Sequence, residues 1–525
     1  MRVTPCLSIA ILMMIFADPL IARPAPYPIA ERSIDQLQAD LASHRISSRQ
    51  LVAAYLARIA KIDKHGPRVN AVLAINPHAL ADADARDAER RSGLAHGPLH
   101  GIPILLKDNI ESRDPMPTTA GSLALAGNMT RRDAPMVTRL RAAGAIILGK
   151  TNLSEWANFR STRSTSGWSA VGGLTRNPYA LDRSACGSSA GSGTATAASL
   201  AAAAIGTETD GSITCPSAMN GLVGLKPTVG LVSRTHVIPI SHSQDTPGPM
   251  ARNVHDAAIL LNAIAGSDPA DPATIDADRH RTDYVAALDP QALSGKRIGV
   301  MRFAAGFSPE VDGLFAEALE QMRAAGATIV EIPTFDSKIA KAAESTVLAH
   351  EFRTDINAYL ATTPSAVKTR TLAGLIVFNR THAESELPWF GQEQFEKAEA
   401  TGGIADDAYA DALTTAKAAV GPNGIDLMLA RDRLDALVAP TTGPAWKIDL
   451  IDGDHFGGGG AGGLAAIAGY PHLTVPMGLV KGLPVGLSFI GPAWSEARLL
   501  AIGFAYEQHT HKRRPPTYLK AIGPA

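Results

Sequence analysis

Two hydrophobic rhythms run along the chain. From about Ser33, apolar positions recur every three or four residues, and short runs of consecutive apolar residues stand between these stretches. Ser47-Ser48 can cap a helix whose inner face carries Leu51, Val52, Tyr55, Leu56, Ile59 and Ile62, with Gly66-Pro67 closing it. An alanine-rich helix is predicted after Asn76-Pro77. Residues 102–106 read as a buried strand ending at Lys107-Asp108-Asn109. Asp133 and Pro135 open another helix, Gly144 closes it, and 145–148 form the next strand. A second alanine-rich helix is predicted over 192–204, stopped by Gly206, and further strands over 437–440, 473–476 and 483–490. Helices alternating with short apolar strands predict an α/β fold with a sheet covered on both faces.

Two stretches depart from this alternation. Residues 151–190 are rich in Ser, Thr, Gly, Asn and Arg, with Trp156 and Trp168 interspersed. A polar segment of that length inside a compact domain marks a functional loop system or disorder, and the tryptophans favour function. Residues 294–432 are more charged and more helical, with one predicted strand at 296–301, and read as a peripheral, mainly helical region. The core then comprises 33–293 and 433–515, followed by a tail at 516–525. The glycine run 457–463 reads as a flexible loop, placed at a site rim.

The amino terminus stands apart. Arg2 precedes an apolar run over 7–16, and small residues follow at Ala17 and Ala22, the pattern of a secretory signal peptide over 1–22. Residues 23–32 begin with Arg23-Pro24-Ala25-Pro26-Tyr27-Pro28 and read as an extended linker. This predicts a periplasmic or secreted protein; the alternatives are a disordered or membrane-grazing leader and a cytoplasmic protein. Cys186 and Cys215 remain after leader removal, and they can pair only if their Cα atoms come within about 7 Å.

Composition narrows the function classes. The 525 residues are 46% hydrophobic, enough for a packed core, and 49 basic against 50 acidic side chains give a net charge of −1. That balance argues against a nucleic-acid-binding surface. No apolar run reaches the length of a spanning helix, so no stable membrane insertion is expected once the leader is cleaved. No H-E-x-x-H or C-x-x-C occurs, so no metal and no cofactor is predicted, and His509-Thr510-His511 reads as a solvated pair.

Three motifs could carry chemistry. Gly187-Ser188-Ser189-Ala190-Gly191 fits the nucleophile elbow with Ser189 at its centre, the reading of a Ser-His-Asp α/β-hydrolase, but turn-forming residues rather than a strand precede it. As a phosphate cradle it lacks the P-loop lysine. Gly206-Thr207-Glu208-Thr209-Asp210-Gly211-Ser212 could aim consecutive N–H groups at a developing oxyanion, or simply be a polar turn. Lys107, at a strand end, either snorkels to solvent or is stripped of water so that its pKa falls toward that of a base.

Together these stretches resemble the amidase signature family. The resemblance is carried by Gly101-Ile102-Pro103-Ile104-Leu105-Leu106-Lys107-Asp108, Gly149-Lys150-Thr151-Asn152, Cys186-Gly187-Ser188-Ser189-Ala190-Gly191-Ser192, the 206–212 stretch and Gly224-Leu225-Lys226-Pro227-Thr228, in that order. It implies a three-layer α/β/α fold with a large mixed central sheet and a peripheral helical region. It also implies a Ser-Ser-Lys triad with Ser212 as nucleophile, Ser188 as bridging serine on a cis Gly187–Ser188 bond, and Lys107 as base. The backbone N–H groups of Thr209, Asp210, Gly211 and Ser212 would form the oxyanion hole, with Thr207 and Ser189 holding Lys107 and Ser188. Asp210-Gly211 in place of the usual Gly-Gly, with Ser154-Glu155-Trp156-Ala157-Asn158-Phe159-Arg160 and Ser243-Gln244-Asp245-Thr246, looks like the branch that deamidates C-terminal peptide amides. The implied substrate is a small peptide amide. The alternatives are an amidase for other small amides, an amidotransferase-type amidase component, and a catalytically silent binding protein on the same fold. An Asp210 carboxylate lining the site would oppose an oxyanion, so it should face the substrate NH2 group instead. Side-chain preference is expected to be set by the peripheral region and the 151–180 segment.

Overall fold

The computed structural model describes residues 27–523. The leader prediction and the first residues of the linker lie outside them. The described residues contain thirteen strands: β1 Val72–Ile75, β2 Pro103–Lys107, β3 Ile146–Thr151, β4 Trp168–Ser169, β5 Gly173–Leu174, β6 Ala203–Glu208, β7 Val223–Lys226, β8 Thr246–Ala251, β9 Arg297–Met301, β10 Thr328–Ile332, β11 Ala436–Pro440, β12 His472–Val480 and β13 Leu483–Ile490. Eleven form one mixed sheet in the order β1-β3-β2-β6-β8-β7-β12-β13-β11-β9-β10; β4 and β5 make a separate ribbon. The pairs β2–β3, β2–β6, β9–β10 and β9–β11 are parallel and the other pairs of the large sheet antiparallel.

Every residue of β2, β3, β6, β7, β8, β11 and β13 is buried, so both faces of the sheet are covered. The helices Val254–Ile264 and Glu496–Thr510 pack together, and Ala190–Ala197 packs on Thr214–Met219. Both groups contact the central strands, which places the sheet between helical layers. Ser47 caps the helix Ser48–Arg58 through a capping box with Gln50, and Leu51, Val52 and Tyr55 are buried as the periodicity requires. The helices Ala79–Arg91 and Pro135–Ala142 start where Pro77 and Pro135 predict.

Three expectations change. The alanine-rich helix ends at Ala197, the chain turns at Ser199 (φ 54°), and Ala203 and Ala204 belong to β6. Burial between β2 and β8 overrides the helix preference of alanine there. Residues 297–301 and 328–332, assigned above to the peripheral region, extend the central sheet as β9 and β10 beyond β11. The mainly helical part begins at Lys338, with the helix Lys338–Ala361. The predicted tail returns to the body, where Tyr518 N–H donates to Pro178 C=O at 2.8 Å.

A buried ionic cluster ties the helical part to the loops over the sheet. Arg160 bonds Glu155 and the Glu386 carbonyl, and its guanidinium lies 4.2 Å from the centre of the Phe390 ring. Glu386 in turn accepts from Leu123 N–H at 2.7 Å and Ser122 Oγ at 3.1 Å. No helix among the described residues is long and apolar enough to cross a membrane.

Candidate active site

β2 ends at Lys107, and its neighbour β6 carries Thr207 just before the 209–212 loop. The Lys107 Nζ lies 2.8 Å from Ser188 Oγ, 2.8 Å from Thr207 Oγ1 and 3.2 Å from the Thr207 carbonyl. Asn109 Nδ2 donates to the same Thr207 hydroxyl at 3.0 Å. Among the described residues no carboxylate pairs with this amine. Burial pulls it down to about 7, partly opposed by the Asp245 and Glu208 carboxylates. A neutral amine satisfies the geometry: its two protons serve Thr207, and its lone pair accepts from the Ser188 hydroxyl.

Ser188 stands on a turn that the sequence builds tightly. The Gly187–Ser188 peptide is cis. A Cβ on Gly187 would lie 2.1 Å from Ser154 Oγ, so only glycine fits. Ser154 N–H donates to the Ser188 carbonyl at 3.0 Å, which gives part of the polar 151–190 stretch its role: it holds this turn in place. Ser189 Oγ donates to the Thr207 carbonyl at 3.1 Å and accepts from Thr207 N–H at 3.2 Å. Ser189 thus supports Ser188 and Lys107 through Thr207 rather than by touching Ser188. Its hydroxyl is buried and committed, which removes the nucleophile-elbow reading.

Ser212 begins beside this pair. Its carbonyl accepts from Ser189 N–H at 3.1 Å, while its hydroxyl bonds neither Ser188 nor Lys107. Exposure grades from 0% at Lys107 and Ser188 to 8% at Ser212, so Ser212 is the least enclosed of the three. Cys186 and Cys215 form a disulfide with Cα atoms 6.0 Å apart, tying the Ser188 turn to the residues after Ser212.

The backbone N–H groups of Thr209, Asp210, Gly211 and Ser212 donate to no acceptor among the described residues. Gly211 adopts φ 77°, and a Cβ there would meet nothing within 4 Å, so the turn faces open space. Two acids that sequence reasoning left without a role hold it. Glu208 Oε2 accepts from Ile213 N–H at 2.7 Å and Thr214 N–H at 2.9 Å. Asp245 Oδ1 accepts from Thr209 Oγ1 at 2.5 Å, and its Oδ2 accepts from Ile240 N–H at 2.8 Å and Ser241 N–H at 3.0 Å. The Ser243-Gln244-Asp245-Thr246 stretch contains this residue, but a single chain gives no sign that it folds back onto Thr209.

The turn opens onto a cleft of about 420 Å³ walled by Phe303, Phe335, Lys341, Gly459–Gly463 and His472. The walls come from residues 303–341, from Thr441, Thr442 and His472, and from the glycine run, the rim position expected for that loop; no residue of 151–180 lines this cleft. Asp210 turns its carboxylate toward Gly463 and has no hydrogen-bond donor among the described residues. Asp210 is exposed at the mouth of the cleft; the surrounding protein and the nearby Glu208 carboxylate raise its carboxyl above the usual carboxylate range. Glu344, pushed up to about 8 by burial and by Asp210, accepts from Gln244 Nε2 at 3.0 Å.

A family model described as Amidase matches residues 50–500. The solved structure of the native peptide amidase from Stenotrophomonas maltophilia is 53% identical with a TM-score of 0.89, covering 94% of this chain and 100% of that one. A probable amidase of Arabidopsis thaliana is 39% identical over 526 residues, covering 98% of this chain and 96% of that protein. A glutamyl-tRNA(Gln) amidotransferase component of Roseiflexus castenholzii is 36% identical over 525 residues, covering 93% of this chain and 98% of that protein. A family match across most of the length, on a fold shared with a solved relative at half identity, places the chain in the amidase signature family, as a hydrolase of amide C–N bonds.

Proposed function

We propose that the chain removes the terminal amide of C-terminally amidated peptides, releasing ammonia, by a Ser-Ser-Lys relay and an acyl-serine intermediate. The observation that carries this is the buried Lys107 amine, without a carboxylate partner among the described residues, 2.8 Å from Ser188 Oγ beneath a turn of unused N–H groups. Lys107 takes the Ser188 proton as Ser188 takes that of Ser212. Ser212 Oγ attacks the carboxamide carbon, and the N–H groups of residues 209–212 hold the oxyanion. Ser188 then returns a proton to the departing nitrogen, and water cleaves the acyl-serine along the same relay. The similarity to a peptide amidase at 53% identity, against 36% for an amidotransferase component, favours peptide amides over an amidotransferase role.

Asp210 faces the substrate NH2 group in this reading, accepting a hydrogen bond from it and selecting unsubstituted amides. The leader pattern, and a disulfide beside the site, which persists in oxidising compartments, support a periplasmic or secreted enzyme.

Ammonia release from a C-terminally amidated dipeptide should exceed that from free amino-acid amides and aliphatic amides. Ser212→Ala should lower it by about 10³-fold or more, while Ser189→Ala retains measurable turnover. Loss in Ser189→Ala with activity kept in Ser212→Ala would reverse the assignment. The kcat/KM should fall below about pH 7 as Lys107 takes up a proton, by about tenfold per pH unit. Asp245→Asn removes a negative charge that favours the ammonium, so its acid limb should move to lower pH; an unmoved limb would leave Asp245 only a scaffolding role. Asp210→Asn should reduce amide hydrolysis more than ester hydrolysis, and equal losses would reject its contact with the NH2 group. Fractionation of expressing cells should recover the processed enzyme outside the cytoplasm; an unprocessed cytoplasmic chain would refute export.

A further inference from the structure

Away from the cleft, the helix Ala79–Arg91 ends beside the loop that leads into β2, and three side chains converge there. His100 is wholly buried, and its Nε2 lies 2.8 Å from the Arg86 carbonyl. A carbonyl only accepts, so Nε2 carries the hydrogen and Nδ1 presents a lone pair. That lone pair takes only a long contact from His96 N–H, at 3.3 Å. Facing it at 3.8 Å is Glu89 Oε2, a buried oxygen with no hydrogen-bond partner among the described residues, while Arg86 occupies the vicinity of Oε1 at 2.7 Å. His96 Nε2 stands 3.4 Å from the same Oε2, on a side chain half open to solvent.

Two electron-rich atoms therefore face each other at 3.8 Å, Nδ1 held only by the long His96 N–H contact and Oε2 by none among the described residues, and a third nitrogen closes the group. The three residues offer one ligand atom each within 4.8 Å of one another. An ion with donors at about 2.1 Å in tetrahedral array separates those donors by about 3.4 Å, close to the spacings found here. The Nε2–H bond of His100 to a backbone carbonyl is the outer partner that metal-bound histidines use to fix their tautomer. The other cluster of this kind, His242, Glu351 and Asp355, is already satisfied: Glu351 accepts from the Ser243 and Tyr409 hydroxyls, and His242 Nδ1 lies 2.9 Å from Asp355.

We propose that Glu89, His96 and His100 form a binding site for a divalent ion of the zinc class, with its fourth position open to solvent. Two imidazoles and one carboxylate suit Zn2+ or Co2+ and not Mg2+ or Ca2+. The ion would staple the end of the helix Ala79–Arg91 to the loop before β2, the strand that ends at Lys107. The site is structural and stands independently of the catalytic reading.

Untagged, chelator-dialysed full-length enzyme titrated with Zn2+ should show a rise in Tm that saturates at one equivalent and that Mg2+ does not reproduce. Co2+ should give the intense visible bands of a tetrahedral site. His96→Ala, at a half-exposed position, should weaken apparent Zn2+ affinity by about tenfold or more and Glu89→Gln likewise, both with basal amide hydrolysis unchanged. Absence of a saturable Tm rise would overturn the proposal. So would a full rise in His96→Ala, which would place the ion at another cluster.

Discussion

The molecule is organised around the buried Lys107 amine, which has no carboxylate partner among the described residues and adjoins a serine beside the cleft. Lys107 reaches the end of a fully covered strand and meets only the Ser188 hydroxyl and the hydroxyl and carbonyl of Thr207. An ammonium in that position would forfeit its hydration without an ion pair in return, so the site favours the neutral form. The other two lysines of the family motifs are buried differently. Lys150 lies 3.6 Å from the Asp108 carboxylate, and Lys226 donates to the Pro227 and Tyr470 carbonyls. Neither leads through a serine toward a cleft.

Around that amine the fold supplies rigidity rather than further chemistry. Ser189 clamps the Thr207 backbone, Ser154 holds the Ser188 carbonyl, and Asp245 and Glu208 fix the two ends of the 209–212 turn. The Cys186–Cys215 link joins the two serine-bearing segments covalently. These supports leave the turn's N–H groups unspent, so their hydrogen-bonding capacity is directed at a ligand, and little reorganisation is needed when negative charge develops there.

Local chemistry was legible in the sequence; long-range pairing was not. The end of β2 at Lys107, the span of β13 and the cap at Ser47 follow from short-range patterning. β8 was hidden because Thr246–Ala251 contains Pro247, Gly248 and Pro249, residues that argue against a strand in the middle of a sheet, yet it lies between β6 and β7. Ala203 and Ala204 read as helix because nothing local reveals that a strand stands on each side of them. The cleft walls at Phe303, Phe335 and the glycine run, and the return of Asp245 to Thr209, depend on tertiary contacts that no spacing encodes. The candidate triad lies on a strand end, a glycine-serine turn and a hydroxyl loop, each open to a plainer reading alone and joined into a triad only by the family resemblance.

The charge state of Lys107 can be measured without reference to turnover. In enzyme carrying isotope-labelled lysine, side-chain NMR across pH should show one resonance titrating near 7 that is absent from Lys107→Met. If the signal missing from that variant instead titrates above about 10, as in a solvated lysine, the amine is charged at neutral pH and cannot accept a proton from Ser188.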